Sequence, residues 1–318
     1  MQDNEDPNNV IDSFFGRGDI STEDGHRAGY VALIGRPNVG KSTLMNHLLG
    51  QKLSIVASRP QTTRHRIAGI VSRDEGQIVY VDTPGIHLGA KSALNIHMNR
   101  VATAVLQDVD LILFIIEGDR WTDEDENVLK RIRQSPVPCI AVVNKIDLIP
   151  DKPRLLPIIE GLGDKHDFQL VLPVSATKES GLVELEKEIM ERLPFARPLY
   201  SEDQLTDRSE KFIASEFIRE QLIRRLHQEL PYGLTVEIEK YTHDGNLLRI
   251  SAIIWLDRDS HKKIVIGKKG QMLKDVGQSS RKKLEVFMDK KVFMQLWVKV
   301  REGWADDARA LQKFGYTD

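Results

Sequence analysis

The stretch Gly35-Arg36-Pro37-Asn38-Val39-Gly40-Lys41-Ser42-Thr43 has the residue types and spacing of a loop that holds phosphate. Its glycines let successive backbone N–H groups converge on one anion, the Lys41 ammonium reaches the neighbouring phosphate oxygens, and the Ser42 hydroxyl suits Mg²⁺. Asp82-Thr83-Pro84-Gly85 adds a carboxylate for the same ion and, at Gly85, an N–H that no side chain screens from a γ-phosphate. Asn144-Lys145-Ile146-Asp147 speaks to the base. The Asp147 carboxylate can accept from guanine N1–H and the exocyclic amine, donors that adenine lacks at those edges. A site built to pair such donors rejects an analogue without them by about 10⁴–10⁵-fold. Lys145 is expected along the base plane, Asn144 as a tie to the phosphate loop, and the Ser175-Ala176 backbone at guanine O6. Each run alone also occurs as an ordinary turn; in this order they make GTP or GDP with Mg²⁺ the ligands to expect.

Between the first two motifs, Pro60-Gln61-Thr62-Thr63-Arg64-His65-Arg66 is polar and aperiodic, as suits a loop folding over nucleotide. Thr63, with Thr62 as the alternative, is expected to bind Mg²⁺ and the γ-phosphate only while GTP is present, which makes the segment a switch. Ile86 follows Gly85, where Ras-like enzymes place a glutamine that orients water. Isoleucine cannot polarise water, so slow intrinsic hydrolysis is expected, resting on Lys41, Thr63, Gly85 and Asn38. Asn38 is a candidate ligand for a monovalent cation such as K⁺.

These residues need a scaffold that places strand ends beside helix starts. From Tyr30 to about Leu193, apolar or β-branched runs at 30–34, 78–82, 111–117, 139–143 and 170–174 alternate with helical patterns beginning near Lys41, Ala90, Asp123, Lys152 and Gly181. Such alternation predicts an α/β, doubly wound, mostly parallel sheet. Asp74-Glu75-Gly76 predicts one antiparallel hairpin between 67–73 and 77–82. The stretch 194–207, with two prolines, reads as a linker. Beyond it the order is helix, strand, strand, helix, helix, strand. Phe212, Ile218, Leu222, Ile223, Leu226 and Leu230 stripe the first of these helices, while Leu273, Val276, Leu284 and Phe287 stripe another. No internal repeat and one phosphate-loop motif exclude a tandem arrangement.

The chain has 318 residues and net charge −2, enough for two cores of usual size. That charge is unevenly spread. Residues 1–25 hold seven acids against Arg17, and residues 262–301 hold twelve Lys and Arg against three acids, a footprint for phosphate-rich partners. The N-terminus lacks the basic start and apolar core of a secretory signal, no run is long enough to span a bilayer, and Cys139 reads as a small buried strand residue. A cytoplasmic setting fits all three.

Within the basic segment, Val265-Ile266-Gly267-Lys268-Lys269-Gly270 places a Gly-x-x-Gly loop between an apolar run and a helix. In KH domains such a loop clamps about four nucleotides of single-stranded backbone. The element order is that of a type II KH domain, α+β in class, with Ile266, Gly267, Lys268, Lys269, Gly270, Lys274 and Arg281 as RNA-binding candidates. Bases are expected in an aliphatic groove of Ile264, Ile266, Leu273 and Val276, and packing is the expected role of Trp255 and Trp297.

A phosphate loop carrying Asn38, a hydrophobic Ile86, the switch Gln61-Thr-Thr-Arg-His-Arg66 and a C-terminal KH pattern together resemble the Era family of bacterial ribosome-assembly GTPases. The resemblance extends over about 28–318, including the ending Leu296-Trp-Val-Lys-Val-Arg-Glu-Gly-Trp304 through Tyr316. It implies binding near the 3′ end of 16S ribosomal RNA, maturation of the small ribosomal subunit, links to growth and division, and peripheral contact with the inner membrane. The expected division is an acidic, disordered extension (1–27), a GTPase domain (28–196), a linker (197–207) and a KH domain with a tail (208–318), acting as a monomer. The expected mechanism is a switch in which GTP-Mg²⁺ orders the loop, shifts the two domains and exposes the KH groove. Two other readings are a stand-alone nucleotide-hydrolysing metabolic enzyme and a membrane-surface adaptor whose lysines meet anionic lipid.

Overall fold

The computed structural model describes residues 25–316 apart from 58, 60, 87–91, 119 and 227–231. Six strands, β1 (Arg27–Ile34), β2 (Ile67–Arg73), β3 (Gly76–Asp82), β4 (Leu111–Glu117), β5 (Cys139–Asn144) and β6 (Leu170–Pro173), form a sheet in the order β2-β3-β1-β4-β5-β6. All neighbours are parallel except β2 and β3, which form the hairpin at Asp74-Glu75. Strand β4 reads as an unbroken apolar run because Leu111 through Ile116 are buried from both sides.

Helices α1 (Lys41–Leu48) and α5 (Leu182–Arg192) cover one face, with Leu44, Met45, Leu185 and Ile189 in its core. Helices α2 (Ala93–Ala104), α3 (Asp123–Ile132) and α4 (Leu155–Gly163) cover the other through Ala102, Val128, Leu129, Ile132 and Leu162. A capping box between Thr122 and Asp125 starts α3. The expected helix start near Ala90 lies outside the described residues, and α2 begins after an Ser92 cap instead. Cys139 is buried in β5, where burial pushes its thiol up to about 12.

The stretch read as a linker lies along the sheet edge. The Gln77 carboxamide accepts from the Leu199 and Tyr200 N–H groups at 2.8 and 2.9 Å, Thr206 Oγ1 donates to the Ala68 carbonyl at 2.6 Å, and Ile70 N–H donates to Leu205 O at 2.9 Å. Edge strand β2 is thereby covered.

The second unit runs α6 (Glu210–Arg225), β7 (Leu234–Asp244), β8 (Leu247–Leu256), α7 (Ser260–Ile266), α8 (Gln271–Met288), β9 (Lys291–Val300), α9 (Ala308–Lys313). Its sheet has the order β7-β8-β9, β7 antiparallel and β9 parallel to β8. Leu230, expected on the α6 stripe, lies outside the described residues. Helix α6 also belongs to the first unit's core, since one buried cluster contains Leu48 and Leu53 together with Ile213, Phe217, Leu284 and Val292. Among the described residues no helix is long and apolar enough to cross a membrane.

Candidate nucleotide site and nucleic-acid interface

Strand β1 ends at Ile34 and α1 starts at Lys41, so the phosphate loop spans a strand end and a helix start. A Cβ on Gly35 would lie 2.4 Å from Ile115 O, and one on Gly40 (φ +103°) 2.3 Å from Asn144 Nδ2, which explains both glycines. Asn38 is exposed with a left-handed backbone (φ +65°). Lys41 Nζ donates to the Gly35 and Arg36 carbonyls, each at 2.9 Å, and burial pushes its pKa down to about 8.

Ser42 Oγ donates to Asp82 Oδ2 at 2.7 Å and lies 2.9 Å from Thr63 Oγ1, which is 3.4 Å from the same carboxylate oxygen. Asp82 is fully buried, burial raises its pKa, and Oδ1 has no hydrogen-bond partner. A buried carboxylate with one orphan oxygen beside two hydroxyls fits Mg²⁺, which when bound neutralises charge on the β- and γ-phosphate oxygens. Of the two adjacent threonines, Thr63 is the one beside Ser42 and Asp82, whereas Thr62 Oγ1 donates to Arg59 O at 2.6 Å. A pocket of about 320 Å³ opens here between Asn38, Lys41, Ser42, Thr63, Gly85 and Lys145. Thr43 lines it too, as do Ile55, Val56 and Arg59, which no motif marked. Gly85 sits so close to the loop that a Cβ would meet Pro37 N at 2.8 Å.

The base loop is tied as expected at Asn144, whose Nδ2 donates to Val39 O at 2.8 Å. Its Oδ1 accepts the Ala176 N–H, the group expected at guanine O6, at 3.1 Å. Asp147, expected to read the base, accepts from Ser175 Oγ and is itself exposed. Lys145 (φ +63°) donates to Glu117 Oε1 at 2.9 Å.

Several motif side chains serve the scaffold. Arg36 turns from the phosphate side to Glu117 (2.7 Å) and Asp125 (3.1 Å), Thr83 donates to Leu33 O at 2.8 Å, Pro84 is buried, and Ile86 lies in the core. Glu117 carries the line Asp125-Arg36-Glu117-Lys145. Burial alone would raise its pKa, but the Lys145 and Arg36 bonds hold it below the ordinary value. No motif names Glu117; the signal is a lone acid ending the apolar β4, in register with Asn144.

The switch segment faces both units. Arg219 of α6, paired with Glu216 at 2.6 Å, donates to the Thr62 carbonyl. Arg64 is fully buried and donates to Leu234 O and Tyr232 O at 2.8 and 3.0 Å, while His65 stacks on Tyr316 at 4.5 Å. Helix α2 joins in, since Leu94 and Met98 share a cluster with Trp304, Leu311 and Tyr316 of the tail.

In the KH loop, Gly267 (φ +76°) and Gly270 (φ +78°) flank exposed Lys268 and Lys269, and a Cβ on Gly267 would meet Met272 Cβ at 2.6 Å. Ile266 is half-buried and Lys274 is exposed, one turn into α8. Arg281, eleven residues beyond Gly270 and so about 16 Å along the helix, pairs with Glu285 at 3.2 Å and stands apart from the loop. The aliphatic groove is smaller than expected: Val276 is core and Leu273 packs against it, leaving Ile264 as the exposed member. Trp255 packs as expected; Trp297 does not.

Residues 30–145 match the sequence model of the family described as 50S ribosome-binding GTPase, and residues 229–305 match that of the KH domain. The chain is 51% identical over 297 residues to GTPase Era of Stenotrophomonas maltophilia, covering 93% of this chain and 100% of that protein. Against GTPase Era of Pseudomonas aeruginosa the figures are 50% over 294 residues, 92% and 96%. Among solved structures, Era in complex with MgGDPNP and nucleotides 1506–1542 of 16S ribosomal RNA is similar at TM-score 0.89 and 38% identity, covering 92% of this chain and 100% of that one. A variant of Aquifex aeolicus Era bound to GDP·AlF4⁻ gives the same TM-score, identity and coverage. With its phosphate loop, the buried Asp82 carboxylate beside it and a Gly-x-x-Gly loop in a KH unit, the chain belongs to the Era family of GTPases.

Proposed function

We propose that this GTPase acts as a nucleotide-controlled clamp on the 3′ end of 16S ribosomal RNA during maturation of the small subunit, with consequences for growth and division. The observation that carries the reading is the double attachment of residues 61–65. Thr63 reaches the Asp82 oxygen that Ser42 also bonds, while Thr62, Arg64 and His65 on either side are held by α6, β7 and the tail respectively. A γ-phosphate and Mg²⁺ that draw Thr63 in must therefore pull on the KH unit. The solved Era relative that carries MgGDPNP and a 16S fragment supports both ligands for this chain.

In hydrolysis the Lys41 ammonium and the loop N–H groups stabilise charge on the transferring phosphoryl group, and Gly85 N–H faces the γ-oxygens. Buried Ile86 contributes nothing to the attacking water. Asn38, exposed at the pocket, is the proposed K⁺ ligand; hydrolysis faster in KCl than in NaCl, with the difference gone in Asn38→Asp, is expected. Cytoplasmic residence as a monomer with peripheral inner-membrane contact belongs to the same proposal, checked by cell fractionation.

The deciding measurement is affinity for the 1506–1542 RNA of the protein loaded with a non-hydrolysable GTP analogue or with GDP. Linkage requires the two affinities to differ if nucleotide and RNA are coupled, and equal values end the clamp reading.

A further inference from the structure

The second unit's sheet has two faces of opposite character. Helices α6 and α8 cover the inner one. On the outer one, Arg249, Ser251, Ile253 and Trp255 of β8 stand in register with Phe293, Gln295, Trp297 and Lys299 of β9. The tail covers one end, where Phe314 lies 5.7 Å from Trp255. At the other end Phe293 and Trp297 stay 45% and 55% exposed. Folding does not account for two large rings left in water on one face, whereas it does account for Trp304, which is fully buried.

Cations lie against two of the aromatic rings of this sheet. The Arg249 guanidinium lies 5.7 Å from the Phe293 centroid, and Lys299 and Lys313 lie 5.8 and 5.7 Å from that of Trp255. Lys240, in register with Ser251, is exposed. Two of the nearby acids are engaged, Glu237 accepting the Trp255 indole N–H at 2.7 Å and Asp244 pairing with Arg249 at 3.2 Å, while Glu239 beside Lys240 is exposed. Between Phe293 and Trp297 sit Gln295 and Ser251, polar groups able to meet base edges, where a lipid-inserting face would place aliphatic ones. Four residues along one strand separate the rings by about 13 Å, far enough for each to take its own base.

We infer that this outer face is a second single-stranded RNA surface, on which Trp297 and Phe293 each stack a base while Lys240, Arg249 and Lys299 meet phosphates. It is distinct from the Gly-x-x-Gly loop, which lies between α7 and α8. The chemistry is that of sheet-borne aromatics in other RNA-binding modules, where truncating one stacking ring costs about 5- to 150-fold in affinity. The inference rests on the RNA reading proposed above.

The test measures binding of the full chain, loaded with a non-hydrolysable GTP analogue, to the 1506–1542 RNA. Trp297→Ala and Phe293→Ala should each weaken binding by about 5- to 150-fold, Trp297→Phe should restore most of it, and GTP hydrolysis should not change. In the wild type, RNA should shield an indole from iodide quenching, and that shielding should be absent in Trp297→Phe; this readout holds even if the alanine variants fold poorly. Wild-type RNA affinity in Trp297→Ala with unaltered iodide access overturns the inference. So does loss of binding to phosphatidylglycerol vesicles with RNA binding intact, which would make the face a membrane contact. Gly270→Asp separates the two levels: if it weakens RNA binding and Trp297→Ala does not, the sheet face alone is wrong, and if the chain binds no RNA both readings fall.

Discussion

Asp147, the residue expected to read the base, accepts from Ser175 Oγ on the surface of the base loop, so a base has to cover it before it can tell purines apart. Replacing it by asparagine removes an acceptor for two guanine donors. With charge-assisted bonds worth about 1.5–3 kcal/mol each, GTP affinity should fall by about 10²–10⁴-fold. Xanthosine triphosphate should gain in its place, as competition binding would show. Asp82 presents the opposite design, a carboxylate wholly buried with one oxygen unpaired. Chelating Mg²⁺ should weaken GTP binding in the wild type and matter far less in Asp82→Asn, a comparison isothermal calorimetry can make.

Helix α6 buries the charges of Glu216, Arg219 and Glu220, and each of these three has a partner. Arg219 and Glu216 form a buried pair that also grips the Thr62 carbonyl. Arg219→Ala strands the carboxylate and should cost about 3–5 kcal/mol, seen as a lowered melting temperature. Arg219→Met with Glu216→Leu should recover most of the melting temperature, because an apolar pair of similar volume needs no partner, yet leave RNA affinity indifferent to nucleotide. Glu220 joins the units at a second point, accepting from Lys283 at 2.7 Å, from Val56 N–H at 3.1 Å and from Lys52. Burial alone would raise its pKa, but these bonds hold it below the ordinary 4.5. A depressed carboxylate pKa stabilises the fold above the unfolded value and ceases to do so as pH falls through 4.5 and below. Glu220→Gln should therefore cost about 1.5–3 kcal/mol at neutral pH. The melting gap to wild type should close progressively below pH 4.5.

At the scale of the molecule, two stretches leave the nucleotide pocket and both end against the C-terminal unit: the switch at 61–65, and α2, whose Leu94 and Met98 pack on Trp304 and Tyr316. The nucleotide pocket thus has two packed routes to the C-terminal unit. Hydrogen exchange should report them together. Replacing GDP by a GTP analogue with Mg²⁺ should alter protection in 61–66, in α6 and in 304–316 at once, and a change confined to 61–66 would disconnect the pocket from the KH unit.

The amino-acid sequence determined most of what is local. Strand–loop–helix order around Gly35–Ser42 placed the phosphate loop, a carboxylate ending an apolar strand placed Asp82, and period-two and helical patterns placed the KH sheet and its helices, because backbone conformation and burial periodicity are written in neighbouring residues. Only the tertiary structure decided matters that depend on residues far apart in the chain. It chose Thr63 over Thr62, sent Arg36 to Glu117 and Asp125, gave the Ala176 N–H to Asn144, put Val276 in the core, and laid 199–206 along β2. It also buried Trp304, which stands among charged neighbours in the chain, and left Trp297 of the apolar β9 run in water, because only the packing of the tail and sheet determines which ring finds neighbours.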